Sequence, residues 1–214
     1  MIAFDPTPEQ EALRARIETF VMEQIVPYEK DPRNTAHGPT EELRIELNAL
    51  ARSADLFVPH VPKQWGGMGL DHVSMAIAFE ACGLSPLGPI AMHCAAPDEG
   101  NMNLLDKVAT DAQKERWLKP FAAGEFRSCF AMTEPWGAGA DPSAMKTKGH
   151  YDGDNFVVNG VKWLITGAKG AGFTIIFCDV EPSGDKPGGP TMLISDMDVP
   201  GIALTREIKS LDSS

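Results

Sequence analysis

Near Gly124 the spacing of apolar residues changes from every third or fourth position to every second. The first period is that of a helix with one buried face, the second that of a strand with one buried face. One layer cannot satisfy both, so the change divides the 214 residues into a helical domain, 1–124, and a β domain, 125–214. The fold class that follows is α+β: an all-α N-terminal domain, then an antiparallel, β-barrel-like domain. The second domain reads as cut short, because the strand candidate 202–206 runs into IKSLDSS with nothing to close its edge.

The helical part carries its own punctuation. Thr7-Pro8-Glu9-Gln10 is a capping box with proline at the first helical position, and Leu13, Ile17, Phe20, Val21 and Ile25 follow at helical spacing up to Pro27. Residues 31–39 read as a loop. Thr40 caps a second helix with the stripe Leu43, Leu47, Leu50, Ala51 and Ala54. Gly66-Gly67-Met68-Gly69 reads as a hinge-like break. Asp71 then caps a third helix with Val73, Ile77, Ala78 and Ala81 inside. A fourth helix is expected over 91–107, and a second capping box, Thr110 to Gln113, opens a short helix to about Ala122.

In the β part the strand candidates are 127–133, 145–151, 155–159, 161–166, 173–180, 191–196 and 202–206. Asn159-Gly160, between Phe156-Val157-Val158 and Val161-Lys162-Trp163-Leu164-Ile165, reads as a type I′ hairpin turn. Asp152 to Asn155 reads as a second turn.

Charge and composition narrow the partners. Nineteen Lys and Arg stand against thirty Asp and Glu, a net charge of −11, which argues against nucleic acid or an anionic membrane surface as the main partner. No run approaches a membrane span, and the acidic N-terminus has no signal-peptide core. Cys82, Cys94, Cys129 and Cys178 each sit in apolar context with no C-x-x-C spacing, which predicts buried free thiols in a reducing, intracellular protein. The five histidines have no metal-ligand spacing, so no metal is expected.

The stretch most suggestive of a ligand is Ser128 to Asp141, SCFAMTEPWGAGAD. A buried strand opens into a loop of small residues, and a loop without side chains lets a ligand approach the backbone. A dinucleotide fingerprint is excluded: the third glycine would fall at Pro142, no helix follows, and the surroundings alternate as a sheet. A P-loop is excluded because no G-K-[ST] follows. Glu134, before a proline at a strand end, reads as an acceptor for nearby N–H groups. Glu80 reads as an exposed or ion-paired helix residue.

Phe130-Ala131-Met132-Thr133-Glu134-Pro135, with Asp141 and Lys146-Thr147-Lys148, resembles the flavin-binding signature of the acyl-CoA dehydrogenase family. Three further segments agree in order and spacing: Pro62 to Leu70 (PKQWGGMGL), Gln113 to Pro120 (QKERWLKP) with Gly124-Glu125, and Asn159 to Gly167 (NGVKWLITG). Cys94 to Met102, and one extra residue between Pro135 and Asp141, resemble the subgroup of family members 10 and 11. The resemblance covers essentially the whole chain.

The resemblance implies a helical domain, a middle β domain and a C-terminal four-helix bundle, of which the third has no counterpart in these residues. It implies FAD-dependent oxidation of an acyl-CoA thioester to the 2,3-enoyl-CoA: a carboxylate removes the α-proton while the β-hydride passes to the flavin. The cofactor-binding residues it implies are Phe130, Met132, Thr133, Gly139, Ala140, Trp163, Leu164, Ile165 and Thr166, with Ala140 also near the substrate. Many relatives carry a hydroxyl at the position of Ala140. They carry an indole at that of Leu164, whereas here the tryptophan is at 163. Strand alternation puts 163 and 164 on opposite faces, so either a bulge re-aims Trp163 or leucine covers the ring. The family's catalytic glutamate lies in the absent bundle, so no catalytic residue is assigned, and the chain is expected to be a fragment inactive alone. Electron-transfer flavoprotein is the implied electron acceptor, and a dimer or tetramer is implied if the bundle is supplied. The implied location is the bacterial cytoplasm or an organelle matrix. The alternative is a non-catalytic flavin- or acyl-binding scaffold, or a partner subunit of a split dehydrogenase. Acyl-CoA oxidase or nitroalkane oxidase chemistry on the same scaffold stays open at this stage.

Overall fold

The computed structural model describes residues 5–136, 141–153 and 155–208. They form two compact units, one reaching to Glu125 and the other spanning Phe126–Ile208.

The helical unit begins at α1, Pro8–Phe20, whose capping box is closed reciprocally: Gln10 N donates to Thr7 Oγ1 at 3.3 Å and Thr7 N to Gln10 Oε1 at 2.9 Å. Ile17, Phe20, Val21 and Ile25 are buried. The helix continues past Pro27, through a π-helical turn at Val21–Ile25 and a 3-10 turn at Val26–Lys30. A proline in the first turn of a new helical segment has no N–H to waste, so it does not stop the chain there. The expected loop 31–39 contains a miniature hairpin, β1 (Asn34–Thr35) and β2 (Gly38–Pro39).

Helix α2, Glu41–Ser53, is capped by Thr40 and buries Leu43, Leu47 and Ala51. It also buries Arg44, whose guanidinium is satisfied by Glu41, by Asn48 Oδ1 at 2.7 Å and by Gly124 O at 3.0 Å. The glycine-rich break is not a loose hinge: Gly67 N donates to Pro62 O and Gly69 N to Val61 O, and a Cβ on Gly67 would lie 2.0 Å from Val61 O.

Helix α3, His72–Cys82, starts where Asp71 accepts from Val73 N and Ser74 N. Its buried stripe is Ser74, Ile77, Ala78, Ala81 and Cys82. Val73, expected inside, is 59% exposed; Ser74 takes the inward position and accepts from Gln10 Nε2 of α1. The single helix expected over 91–107 is two: α4, Gly88–Ala91, and α5, Asp98–Val108. The run is broken at His93, whose φ of +52 lies in the left-handed region, and the chain resumes as a helix after Pro97. The unit ends in α6 (Asp111–Gln113), a π-helical turn (Lys114–Leu118) and α7 (Lys119–Ala122), opened by the capping box at Thr110.

The second unit holds β3 (Arg127–Ala131), β4 (Lys148–Asp152), β5 (Asn155–Asn159), β6 (Ala171–Val180) and β7 (Gly189–Asp196). The α+β class is as expected, but the sheet is mixed rather than antiparallel. Strand β6 is its spine. Along one edge it pairs antiparallel with β7; along the other it pairs parallel, first with β3 and then, at Asp179 and Val180, with β4. Alternation states which face of a strand is buried, not the direction of its neighbour, so sequence period could not reveal this. The described strands form the path β3-β6-β4-β5, with β7 on β6. The turn at 152–155 joins β4 to β5 as expected, with Asp152 opposite Asn155.

Two expected strands are absent. Residues 202–206 form none, and neither do 161–166. There is no hairpin at Asn159-Gly160: neither residue has positive φ, and the chain leaves β5 as an irregular arm.

Candidate functional site

Strand β3 stops at Ala131, and the arm that follows β5 comes back to meet its end. Trp163 N donates to Thr133 O at 3.1 Å, and the Thr133 hydroxyl donates to Trp163 O at 2.6 Å. One residue earlier, Lys162 Nζ donates to Met132 O at 2.7 Å and to Glu134 Oε1 at 2.9 Å. The two segments singled out in the sequence are therefore adjacent and bonded. Their pairing is not a strand ladder; it is a short set of backbone and side-chain ties.

Glu134 is the knot. It is 5% exposed and accepts from Lys146 N at 2.6 Å and Thr147 N at 2.9 Å, besides Lys162. Burial alone pushes its carboxyl up, but hydrogen bonds from Thr147, Lys162 and Lys146 outweigh that and hold it at about 2. It is thus a structural acceptor, as read from its place before Pro135, and not a group that takes up protons near neutral pH. Thr147 also meets the start of the arm: a Cβ on Gly160 would lie 2.2 Å from Thr147 Oγ1. The Asn-Gly pair is explained by this close approach rather than by a turn.

Past Trp163 the backbone changes direction at Leu164, which has φ +54. A non-glycine residue in the left-handed region is uncommon and marks a re-aimed segment. Alternation along a strand therefore does not govern 163 and 164. Trp163 is 37% exposed and Leu164 59%, and Trp136, at the mouth of the small-residue loop, is 64% exposed. Thr166 is exposed, and its hydroxyl has no partner among the described residues. Phe130 and Met132 are half-buried. The result is a ledge of apolar side chains and main chain at the end of β3. Gly139 and Ala140 lie outside the described residues.

Lys162 was not among the sequence-derived site residues. The available signal was a lone lysine inside the run Val161 to Ile165, where a charge needs a partner if the run is covered. Two titratable groups outside the site have evident structural partners. Glu80 pairs with Arg14 at 2.8 Å. His93 is 3% exposed, lies 2.9 Å from Phe121 O through Nε2, and stacks on Phe57. Among the described residues no group of three potential ligands could hold a metal ion, and no helix is long and apolar enough to cross a membrane. The helical unit has a hollow of about 390 Å³ lined by Arg16, Thr19, Phe20, Gln24 and Leu56 among others.

A helical unit followed by a mixed-sheet unit with an exposed ledge at one strand end defines a two-domain α+β protein. Residues 7–125 match the family profile "Acyl-CoA dehydrogenase, N-terminal domain", and residues 129–212 match "Acyl-CoA dehydrogenase, middle domain". The chain belongs to the acyl-CoA dehydrogenase family. It is 31% identical over 207 residues to acyl-CoA dehydrogenase family member 11 of Gallus gallus, covering 90% of this chain and 26% of that protein. It is 35% identical over 158 residues to family member 10 of Mus musculus, covering 72% of this chain and 15% of that protein. The crystal structure of acyl-CoA dehydrogenase from Geobacillus kaustophilus superposes with a TM-score of 0.72 at 27% identity, covering 94% of this chain and 51% of that one. The chain thus spans about a quarter or less of those two relatives and about half of that structure.

Proposed function

We propose that this chain supplies the flavin-binding face of an FAD-dependent acyl-CoA dehydrogenase, with 1–124 as the helical domain and 125–214 as the flavin-side β domain. The observation that carries the reading is the ledge: Met132–Thr133 tied to the arm at 162–163, with Trp163 and Leu164 exposed on that arm and Thr166, whose hydroxyl has no partner among the described residues, following them. A flat, partly polar ring system fits such a surface, because its faces need apolar cover and its edge needs donors.

Bound FAD supplies a hydride acceptor for the β-carbon of an acyl-CoA thioester. Trp163 and Leu164 exclude water from one face. Main-chain N–H groups around Thr133, and the Thr166 hydroxyl, offer dipoles where negative charge gathers. Gly139 and Ala140, outside the described residues, are assigned to the cofactor by the family resemblance, and Ala140 to the substrate as well. Glu134 is committed to Lys146, Thr147 and Lys162, so it is not the base that takes the α-proton. Electron-transfer flavoprotein as acceptor, a homo-oligomeric state and an intracellular location belong to this proposal.

A second reading, a flavin- or acyl-binding scaffold without turnover, is favoured by aliphatic Leu164 at the exposed, re-aimed position. One experiment tests both. The purified chain is titrated with FAD by flavin absorbance and fluorescence, then mixed anaerobically with acyl-CoA. Saturable binding with quenched fluorescence is expected. Binding without bleaching is expected of this chain alone, because no base for the α-proton is assigned in it; bleaching restored when a relative's C-terminal helical bundle is supplied supports the dehydrogenase, and none under that condition the scaffold. A folded protein that leaves flavin fluorescence unchanged contradicts both.

A further inference from the structure

The arm that carries Trp163 to Thr166 has no strand ladder to hold it. It leaves β5 at Asn159, crosses over Thr147 at Gly160, and is then fastened to residues 132–134. The fastening has two parts. Trp163 and Thr133 exchange a pair of bonds that any two exposed chain segments can make and break against water. Lys162 is different: its side chain is 11% exposed and that of Glu134 5%, so this tie lies beneath the ledge.

We infer that Lys162, seated on Glu134 and Met132 O, is the positioning residue that holds the 163–166 arm at the spacing from Met132–Thr133 that the flavin site requires. The inference rests on the proposed flavin function for its consequence, but not for its geometry. A single ammonium bridges a carbonyl of one segment and a carboxylate that itself grips Lys146 N and Thr147 N. Three separate stretches of chain (132–134, 146–147 and 160–163) therefore meet at one buried charge pair. Removing the ammonium leaves Met132 O and one carboxylate oxygen without that donor under cover, a costly arrangement that is relieved when the arm lifts and water enters. Lys162 touches no reacting atom in this scheme; it acts through the arm.

The test uses Lys162→Met and Lys162→Arg in the same chain, read by amide hydrogen exchange and by FAD titration. In Lys162→Met, exchange across 160–166 is expected to rise at least tenfold, while 173–180 in β6 stays as protected as in the unaltered protein. FAD affinity is expected to fall at least tenfold, and Lys162→Arg to recover part of both. An arm as protected in Lys162→Met as in the unaltered chain would overturn the inference. So would loss of protection in 173–180, which would make Lys162 a support of the whole sheet rather than of the arm. If the unaltered chain binds no FAD, the proposed function fails while the exchange result still decides the role of Lys162.

Discussion

Gly160 has space for no side chain, because the arm crosses Thr147 there at a distance that puts a Cβ 2.2 Å from Oγ1. Gly160→Ala must either push the arm off or displace Thr147, whose amide is bound to Glu134. The expected cost is about 1–3 kcal/mol, the usual range for overpacking a tight site, measured as a lowered denaturation midpoint of the sheet unit. FAD binding should weaken with it. An unchanged midpoint would show that the crossing is looser than described. The same residue shows how far sequence reading reaches. Asn-Gly between two apolar runs has the chemistry of a type I′ turn, and a glycine required by a distant threonine looks identical on paper. Glu134 was legible because proline after it and a strand end before it limit what its carboxylate can do. Lys162 was not, because its partners lie 28 and 30 positions away.

Local signals carried the elements furthest. Thr7, Thr40, Asp71 and Thr110 all cap the helices they announce, since a cap and its amides are neighbours in the chain. Strands β3, β5, β6 and β7 fall close to the expected runs for the same reason. The failures are non-local. The run 161–166 has strand composition yet no strand, because Leu164 turns into the left-handed region and the arm is tied to residues 132–134, just past β3, by isolated backbone and side-chain bonds instead. The direction of β3 and β4 along β6 depends on connections of tens of residues, which period does not encode. The candidate site sat across this divide: Met132–Thr133 and 163–166 were each visible, but what joins them was not.

At the scale of the molecule the two units should respond to acid at different pH. In the helical unit burial holds both His60 and His93 down to about 4. Unfolded chain takes up these protons near 6.5, and folded chain does not until about 4, so stability should fall as pH drops through that window. In the sheet unit the depressed group is Glu134, at about 2 against an ordinary 4.5, so its contribution persists above 4.5 and is lost on the way down to 2. Hydrogen exchange, corrected for intrinsic rates, should show α2 losing protection between pH 6.5 and 4.5 while β6 keeps it. Loss in both units together over that range would contradict the assignment.

The claim on which the functional account stands is that FAD lies against the main chain at 132–133 and along the arm at 163–166. Backbone amide shifts of the isotope-labelled chain, followed by NMR as FAD is added, test it directly. The account predicts shifts concentrated at Met132, Thr133, Ile165 and Thr166. Shifts confined to the helical unit around Arg16 and Phe20, or no shifts from saturating FAD, would contradict it.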